Sequence, residues 1–414
     1  MEDILECCCG LDVHKESIIA CLLIGPIEDG LKPRSEIREF GTQLKDLTVL
    51  RKWLEEHHCH YVAMESTGVY WQPVYAVLET SLLDEMHLLV VNARHMRNVP
   101  GKKTDMRDAE WIATLLRAGL LKGSFIPEHD IRDLRQYTRY RKALIRDITS
   151  QKNRVEKLLQ ASGFRLSSFL TDIFGSSGVA IMQQLVQVGC ISEQSLKVCL
   201  KGRARQKSVE ILSSLNGTLS LPQRQLLKMQ LAHLKDLQDN LREVEEQIHK
   251  DFYQFEGPRN LLDSIPGIDL TAAYAILAEI GRNMTAFPTA QHICSWAGLA
   301  PGNHESAGKK KKQRVMSGNN YLKTILCEVA WVIASHREYY LSGWYWRLKQ
   351  RTDSKRAIIA LARKLLVIIY TMLKTNQPFD ERKFSERKET INRKRVSRMV
   401  HELTKLGYVV SMSA

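Results

Sequence analysis

Two polar stretches, each about thirty residues long, set the main constraint on this fold. "IRDLRQYTRYRKALIRDITSQKNRVEKLLQASG" carries Leu134, Tyr137, Leu144, Ile148, Val155, Leu158 and Leu159 at helical spacing. "LPQRQLLKMQLAHLKDLQDNLREVEEQIHKDF" repeats the pattern with Leu226, Leu231, Leu234, Leu237, Leu241, Val244 and Ile248. Each predicts a long helix with a narrow apolar stripe, which must be buried against the other helix or against one from another subunit. The two helices therefore divide the chain. Residues 1–127 form one expected domain, 128–256 a helical coiled-coil and oligomerisation region, 257–375 a compact helical domain and 376–414 a charged, basic peripheral tail. The stretch at about 165–220 is less regular, and its "KGRARQK" suits either phosphate contacts or a solvated loop.

The first domain reads as α/β. "ILECCCGLDV" and "SIIACLLIG" are short apolar runs of strand length, "HYVAMES" ends a third at Glu65, and "MHLLVVNA" gives a fourth. Helical spacing appears in "VYWQPVYAVLETSLL" and again in "TDMRDAEWIATLLRAG", where Trp111, Ile112, Leu115 and Leu116 form the apolar face before Gly119. Strands alternating with helices imply a mixed sheet covered by helices.

Sixty Lys and Arg against 46 Asp and Glu give a formal charge of +14, a field that favours a polyanionic partner, of which nucleic acid is the commonest. No apolar run approaches membrane-spanning length, and the start "MEDILECCCGLDVHKE" lacks a basic segment followed by an apolar core, so a cytoplasmic protein without membrane contact is expected. The nine cysteines contain no C-x-x-C pair, which argues against a disulfide framework and a structural zinc site. "HHCH" at 57–60 is too contiguous for its side chains to converge on one tetrahedral ion, and reads as a helix-to-strand junction.

Four acids stand where chemistry could use them. Asp12 and Glu65 each close an apolar strand, where side chains emerge from a sheet into a cleft. Asp105 and Asp108 lie three apart and so share a helical face. Singly, each has a structural reading: Asp12 as a turn starter, Asp105 and Asp108 as first-turn acids favoured by the helix dipole. Together they follow the order of an RNase H-like nuclease core, able to hold a divalent cation pair that clamps a scissile phosphate. Lys102, Lys103 and Arg107 supply positive charge beside them.

In the C-terminal domain, "LLDSIPGIDLTAAYAILAEIG" has Pro266-Gly267 between two helical segments. It reads either as a helix-hairpin-helix, whose Gly267 lets backbone amides approach a phosphate, or as an ordinary helix–helix turn. Further on, "PGNHESAGKKKKQRVMSGNN" sets Ser306 before Lys309, Lys310, Lys311, Lys312 and Arg314. A solvated loop is the bland reading. The sharper one is a serine nucleophile whose alkoxide and phosphorane are stabilised by the adjoining charge.

"GLDVHK", "MESTGVYW", "KTDMRDAEWIA" and "PGIDLTAAYAILAEIG…WAGLAPGNHESAGKKKK…SGNNYLKTILCEVAW" resemble, in order, the motifs of the DEDD transposases of the insertion-sequence 110 and 1111 family. The resemblance covers roughly 1–125 and 257–340, and is most specific around Glu65 and at Ser-x-Gly-Lys. It implies a RuvC-like N-terminal domain with Asp12, Glu65, Asp105 and Asp108 as the metal-binding and catalytic acids, and a C-terminal transposase domain with Ser306 as nucleophile. Glu305 stands where relatives often have a small polar residue. The resemblance also implies Mg²⁺ or Mn²⁺, donor and target double-stranded DNA, and a structured guide RNA (a "bridge RNA") transcribed from the element. A homo-oligomer, a dimer assembling to a tetramer on DNA, would work in the prokaryotic cytoplasm and on the nucleoid. The rival readings are a RuvC-like Holliday-junction nuclease, which needs the acids and no serine, and a non-catalytic nucleic-acid-binding regulator.

Overall fold

The computed structural model describes residues 4–27, 31–66, 68–82, 86–92, 108–300, 305–306, 309–310, 318–382, 396–397 and 399–405. The chain divides into two compact units, residues 1–126 and 127–414.

The first unit is a five-stranded sheet between helices. Its strands are β1 (Cys7–Val13), β2 (Ser17–Ile24), β3 (Arg34–Gly41), β4 (Tyr61–Glu65) and β5 (His87–Val91), in the order β3-β2-β1-β4-β5. β1, β2 and β3 form an antiparallel meander, whereas β4 runs parallel to β1 and β5 parallel to β4. One face packs on α1 (Leu44–Glu56) and α2 (Trp71–Leu78) through Leu11, Val13, Val62, Met64, Leu50, Trp53 and Leu78. The other packs on α3 (Asp108–Arg117) through Cys8, Cys21, Ala63, Ile112 and Leu116. Residues alternate between faces along β1 and β4, as the two-residue period of a strand requires. Arg117, at the end of α3, is buried and donates to the carbonyls of Glu6, Gly25 and Pro26, tying together the start of β1 and the exit from β2.

Sequence patterning misses β3, and it marks α1 only through the helix-to-strand junction at 57–60, which the structure places between Glu56 at the end of α1 and Tyr61 at the start of β4. β3 is an edge strand with mostly exposed residues, "RSEIREFG", and Arg38 pairs with Glu36 at 2.9 Å along it. Charge on an edge discourages pairing with another chain and erases the apolar alternation that marks a strand.

The second unit is helical. Its long helices are α4 (His129–Ala161) and α8 (Leu221–Asp251), which pack antiparallel on each other within the chain. Gln151, buried, donates to the Gln230 carbonyl at 3.0 Å, and Arg141 donates to Glu245 at 2.8 Å, so polar contacts pin the register of an apolar seam. Leu227 rather than Leu226 faces that seam; Leu226 is exposed. Between the long helices lie α5 (Ser176–Val188), α6 (Glu193–Cys199) and α7 (Ser208–Ser213). With Val155, Leu159 and Leu227 they close a separate core around Phe164, Ile181 and Leu185. "KGRARQK" forms a short, mostly exposed 3-10 turn there.

The C-terminal helices are α9 (Glu256–Asp263), α10 (Leu270–Ile280), α11 (Ala290–Trp296), α12 (Asn320–Ser335), α13 (Tyr340–Lys349) and α14 (Ser354–Thr375). α14 packs on α11, α12 and α13, while α10 rests against α4 and α12. Among the described residues, no helix is long and apolar enough to cross a membrane.

Candidate active site

Asp12 and Glu65 stand side by side at the carboxyl ends of β1 and β4. Leu11 is in register with Met64, so the next residue on each strand is a carboxylate. Alternation places both on the face that Cys8 and Ala63 present to α3. Asp108 opens α3 on that same side, where the helix N-terminus favours an acid. A close approach makes this possible. A Cβ on Gly10 would lie 2.3 Å from the Ala109 carbonyl oxygen and 2.4 Å from the Ala113 nitrogen, so only glycine lets the α3 backbone sit against β1.

Asp12 is largely shielded, with 14% of its side chain exposed, and lies 3.1 Å from Nε2 of His14. Sequence reasoning passed over His14; its only signal was its spacing two residues past Asp12. Asp105, Lys102, Lys103 and Arg107 fall outside the described residues. Among the described residues, no group of three His, Cys, Asp or Glu side chains closes to the spacing of a shared ion. The donor set is nonetheless of the right chemistry: hard carboxylate oxygens suit Mg²⁺ or Mn²⁺ and give no thiolate or imidazole cage for zinc.

In the second unit, Ser306 lies in β6 (Glu305–Ser306), paired antiparallel with β7 (Lys309–Lys310), so Ser306 is directly opposite Lys309 in the backbone register. Lys311, Lys312 and Arg314 fall outside the described residues. This hairpin leaves the helical body after α11 and rejoins it at α12, and the two points of attachment touch. A Cβ on Gly318 would meet the Gly298 nitrogen at 2.2 Å, and the Asn319 amide donates to the Trp296 carbonyl at 3.2 Å.

Asn319 also caps α12 by accepting from the Leu322 amide at 3.0 Å, while its Nδ2 donates to Oε2 of Glu279 at 2.6 Å. Glu279 is 1% exposed and receives two 2.8 Å hydrogen bonds from Arg139. Arg135 lies 3.6 Å from the same carboxylate and donates to the carbonyls of Ala278 and Glu279, covering the C-terminal end of α10. Burial pushes the Arg135 guanidinium down to about 10, with Glu279 opposing the shift. Glu279, Arg139 and Asn319 are polar residues that sequence reasoning missed. The available signal was a single acid inside the apolar run "LTAAYAILAEI".

Gly267 has φ 88°, and a Cβ there would lie 2.9 Å from Ile333 Cγ1, so packing against α12 accounts for glycine at this turn. It borders a cavity of about 330 Å³ between α4, α8, α10 and α12, whose walls include Arg139, Glu245, Glu279 and Tyr321.

Comparison with known proteins gives two family matches, the first of which runs on from the sheet unit through α4. Residues 9–163 match the DEDD transposase model of IS110, and residues 259–345 match the transposase family IS116/IS110/IS902. The chain is 36% identical over 126 residues to the pilin gene-inverting protein of Moraxella bovis, covering 30% of this chain and 39% of that protein. It is 29% identical over 129 residues to the insertion element IS110 uncharacterized 43.6 kDa protein of Streptomyces coelicolor, covering 30% of each. Over 122 residues it is 28% identical to the transposase for insertion sequence element IS1111A of Coxiella burnetii, covering 28% of this chain and 33% of that protein. The match thus spans about two-fifths or less of these relatives' length. One model takes in the strand-end acids and the other the serine hairpin, in the order in which the motifs run along the sequence, and on that double match the chain belongs to the IS110 family of transposases.

Proposed function

We propose that this protein is a DNA transposase or recombinase of a mobile insertion sequence, cutting and rejoining strands of donor and target duplexes. The observation that carries the reading is the adjacency of Asp12 and Glu65 at parallel strand ends, with Asp108 entering from α3 on the same face. Such an arrangement suits a RuvC-like nuclease core. Asp12, Glu65, Asp108 and Asp105 would hold Mg²⁺ or Mn²⁺, which when bound neutralises charge on the scissile phosphate. The name of the Moraxella relative, a gene-inverting protein, favours joining of strands over hydrolysis.

Ser306 is the proposed nucleophile. Its Oγ attacks phosphorus, losing its proton, and one phosphorus–oxygen bond to the neighbouring nucleotide breaks as that oxygen takes up a proton. The phosphoserine ester preserves the bond energy, so a hydroxyl from the other duplex can displace serine and restore it. Lys309 to Lys312 and Arg314 surround this chemistry with positive charge in the sequence, and Gly267, Lys102, Lys103 and Arg107 are proposed contacts to the nucleic-acid backbone. The +14 charge also suits a structured guide RNA that pairs with donor and target while the protein recognises duplex shape.

Assembly as a homo-oligomer belongs to the same reading, with acids and serine drawn from different subunits. Because α4 and α8 bury their stripes on each other, association would use surfaces outside that seam. The test is to incubate the chain, co-purified RNA and Mg²⁺ with labelled donor and target DNA. Joined product that disappears in Ser306→Ala supports the proposal. Cut but unjoined DNA would indicate a junction nuclease, and retention without cleavage a regulator. Mixing Ser306→Ala with Asp105→Ala chains should recover part of the activity if subunits share a site.

A further inference from the structure

The end of α13 carries cations that no acid among the described residues neutralises. Trp346 is held by a 3.0 Å hydrogen bond from its indole nitrogen to the Ala334 carbonyl. The Arg337 guanidinium sits 3.7 Å from the centroid of its ring and the Lys349 ammonium 4.3 Å from the same centroid. Among the described residues, neither Arg337 nor Lys349 has a carboxylate partner, and neither do Arg347, Arg351 and Lys355 nearby in the chain. The neighbouring acids are engaged: Glu338 with His336 at 2.9 Å, and Asp353 with Arg356 at 3.1 Å.

Basic residues in a last helical turn are favoured by the helix dipole, which would account for Arg347 and Lys349 alone. It does not account for Arg337, which precedes the helix, or for Lys355, which lies in the first turn of α14 where the dipole opposes a cation. Stacking on a fixed indole restricts Arg337 and Lys349 in advance, so less side-chain freedom is lost when an anion arrives. Arg337 is exposed and Lys349 half-buried, and cations that lack a carboxylate partner among the described residues and are pre-positioned on a ring are suited to phosphate.

We infer that Arg337 and Lys349, stacked on Trp346, form a contact surface for the backbone phosphates of duplex DNA. Duplex is favoured over single strands because the protein's own cations already stack on the Trp346 ring, whereas single-strand recognition needs open aromatic faces for splayed bases. The inference rests on the reading of DNA as substrate but needs no strand chemistry, so the two fail separately.

The experiment measures binding of the full chain to a 30-base-pair duplex of arbitrary sequence and to a single-stranded RNA of equal length, from about 50 to 200 mM salt. The variants are Arg337→Gln/Lys349→Gln and a charge-matched control, Lys228→Gln/Lys235→Gln, at exposed positions on α8. For the Arg337/Lys349 pair the magnitude of the slope of log affinity against log salt on duplex should fall by about 1.8, which is 0.9 for each of two lost phosphate contacts. The control slope should stay within about 0.5 of the parent. Equal losses in the control and the Arg337/Lys349 variant would mean a general field effect, and unchanged slopes would mean no contact; either overturns the inference. A loss confined to RNA would overturn the assignment to duplex DNA. Ser306→Ala should keep the parent slope, so failure of the serine mechanism leaves this result intact.

Discussion

Arg139 and Glu279 form a two-pronged ion pair, both contacts at 2.8 Å, across 140 residues of sequence. This bond joins the long helix α4 to α10 inside the helical unit, and the same carboxylate reaches Asn319 at the foot of the serine hairpin. Breaking it from the acidic side leaves Arg135 and Arg139 facing an uncharged group. Glu279→Gln should therefore lower unfolding free energy by about 3–5 kcal/mol, read by denaturant titration. A loss under about 1 kcal/mol would mean that solvent reaches the guanidinium groups.

Asn319→Ser separates the hairpin tether from the helix cap. Serine still caps α12 about as well as asparagine but is too short to reach Glu279. The expected result is a small change in thermal midpoint with faster tryptic cleavage at Lys309 to Lys312. Equal cleavage rates in parent and variant would show that the Asn319–Glu279 bond does not restrain the hairpin.

Gly10→Ala puts a methyl group into the backbone of α3. The helix must shift, at a cost of about 1–3 kcal/mol, and Asp108 shifts with it away from Asp12 and Glu65. Strand exchange should fall more steeply than stability, a split measured by comparing melting curves with recombination of a reporter plasmid.

Asp12→Asn, Glu65→Gln and Asp108→Asn should each abolish strand exchange while leaving the circular dichroism spectrum and melting curve near those of the parent. Chelation of divalent cations should do the same to the parent chain, and added Mg²⁺ or Mn²⁺ should restore it. Full activity in any one variant would remove that residue from the proposed metal site.

Cys7 and Cys59 supply a pH-dependent test of the sheet. The neighbouring Cys59 thiol lowers the pKa of Cys7, against the opposing effect of burial and with help from Arg117. A lowered pKa means thiolate, and hence alkylation, at lower pH. Cys59→Ala should move the alkylation profile of Cys7 to higher pH, as followed by peptide mass spectrometry; an unmoved profile would show that the thiols do not communicate.

Much of this protein could be read from its sequence because local pattern decided it. The apolar runs of β1, β2, β4 and β5 and the periodic stripes of α4 and α8 arise from side-chain spacing alone, and nearest-neighbour chemistry set Asp12 and Glu65 at strand ends. Tertiary structure decided what spacing cannot carry. That Asp12 lies beside Glu65 depends on the parallel register of two strands separated by about fifty residues, and the place of Asp108 depends on a missing Cβ at Gly10. β3 escaped notice because an edge strand needs charge where a central strand needs alternation. Glu279 escaped it because a buried carboxylate is stabilised by cations that only folding brings to it, and the sequence around it shows just an acid in an apolar helix.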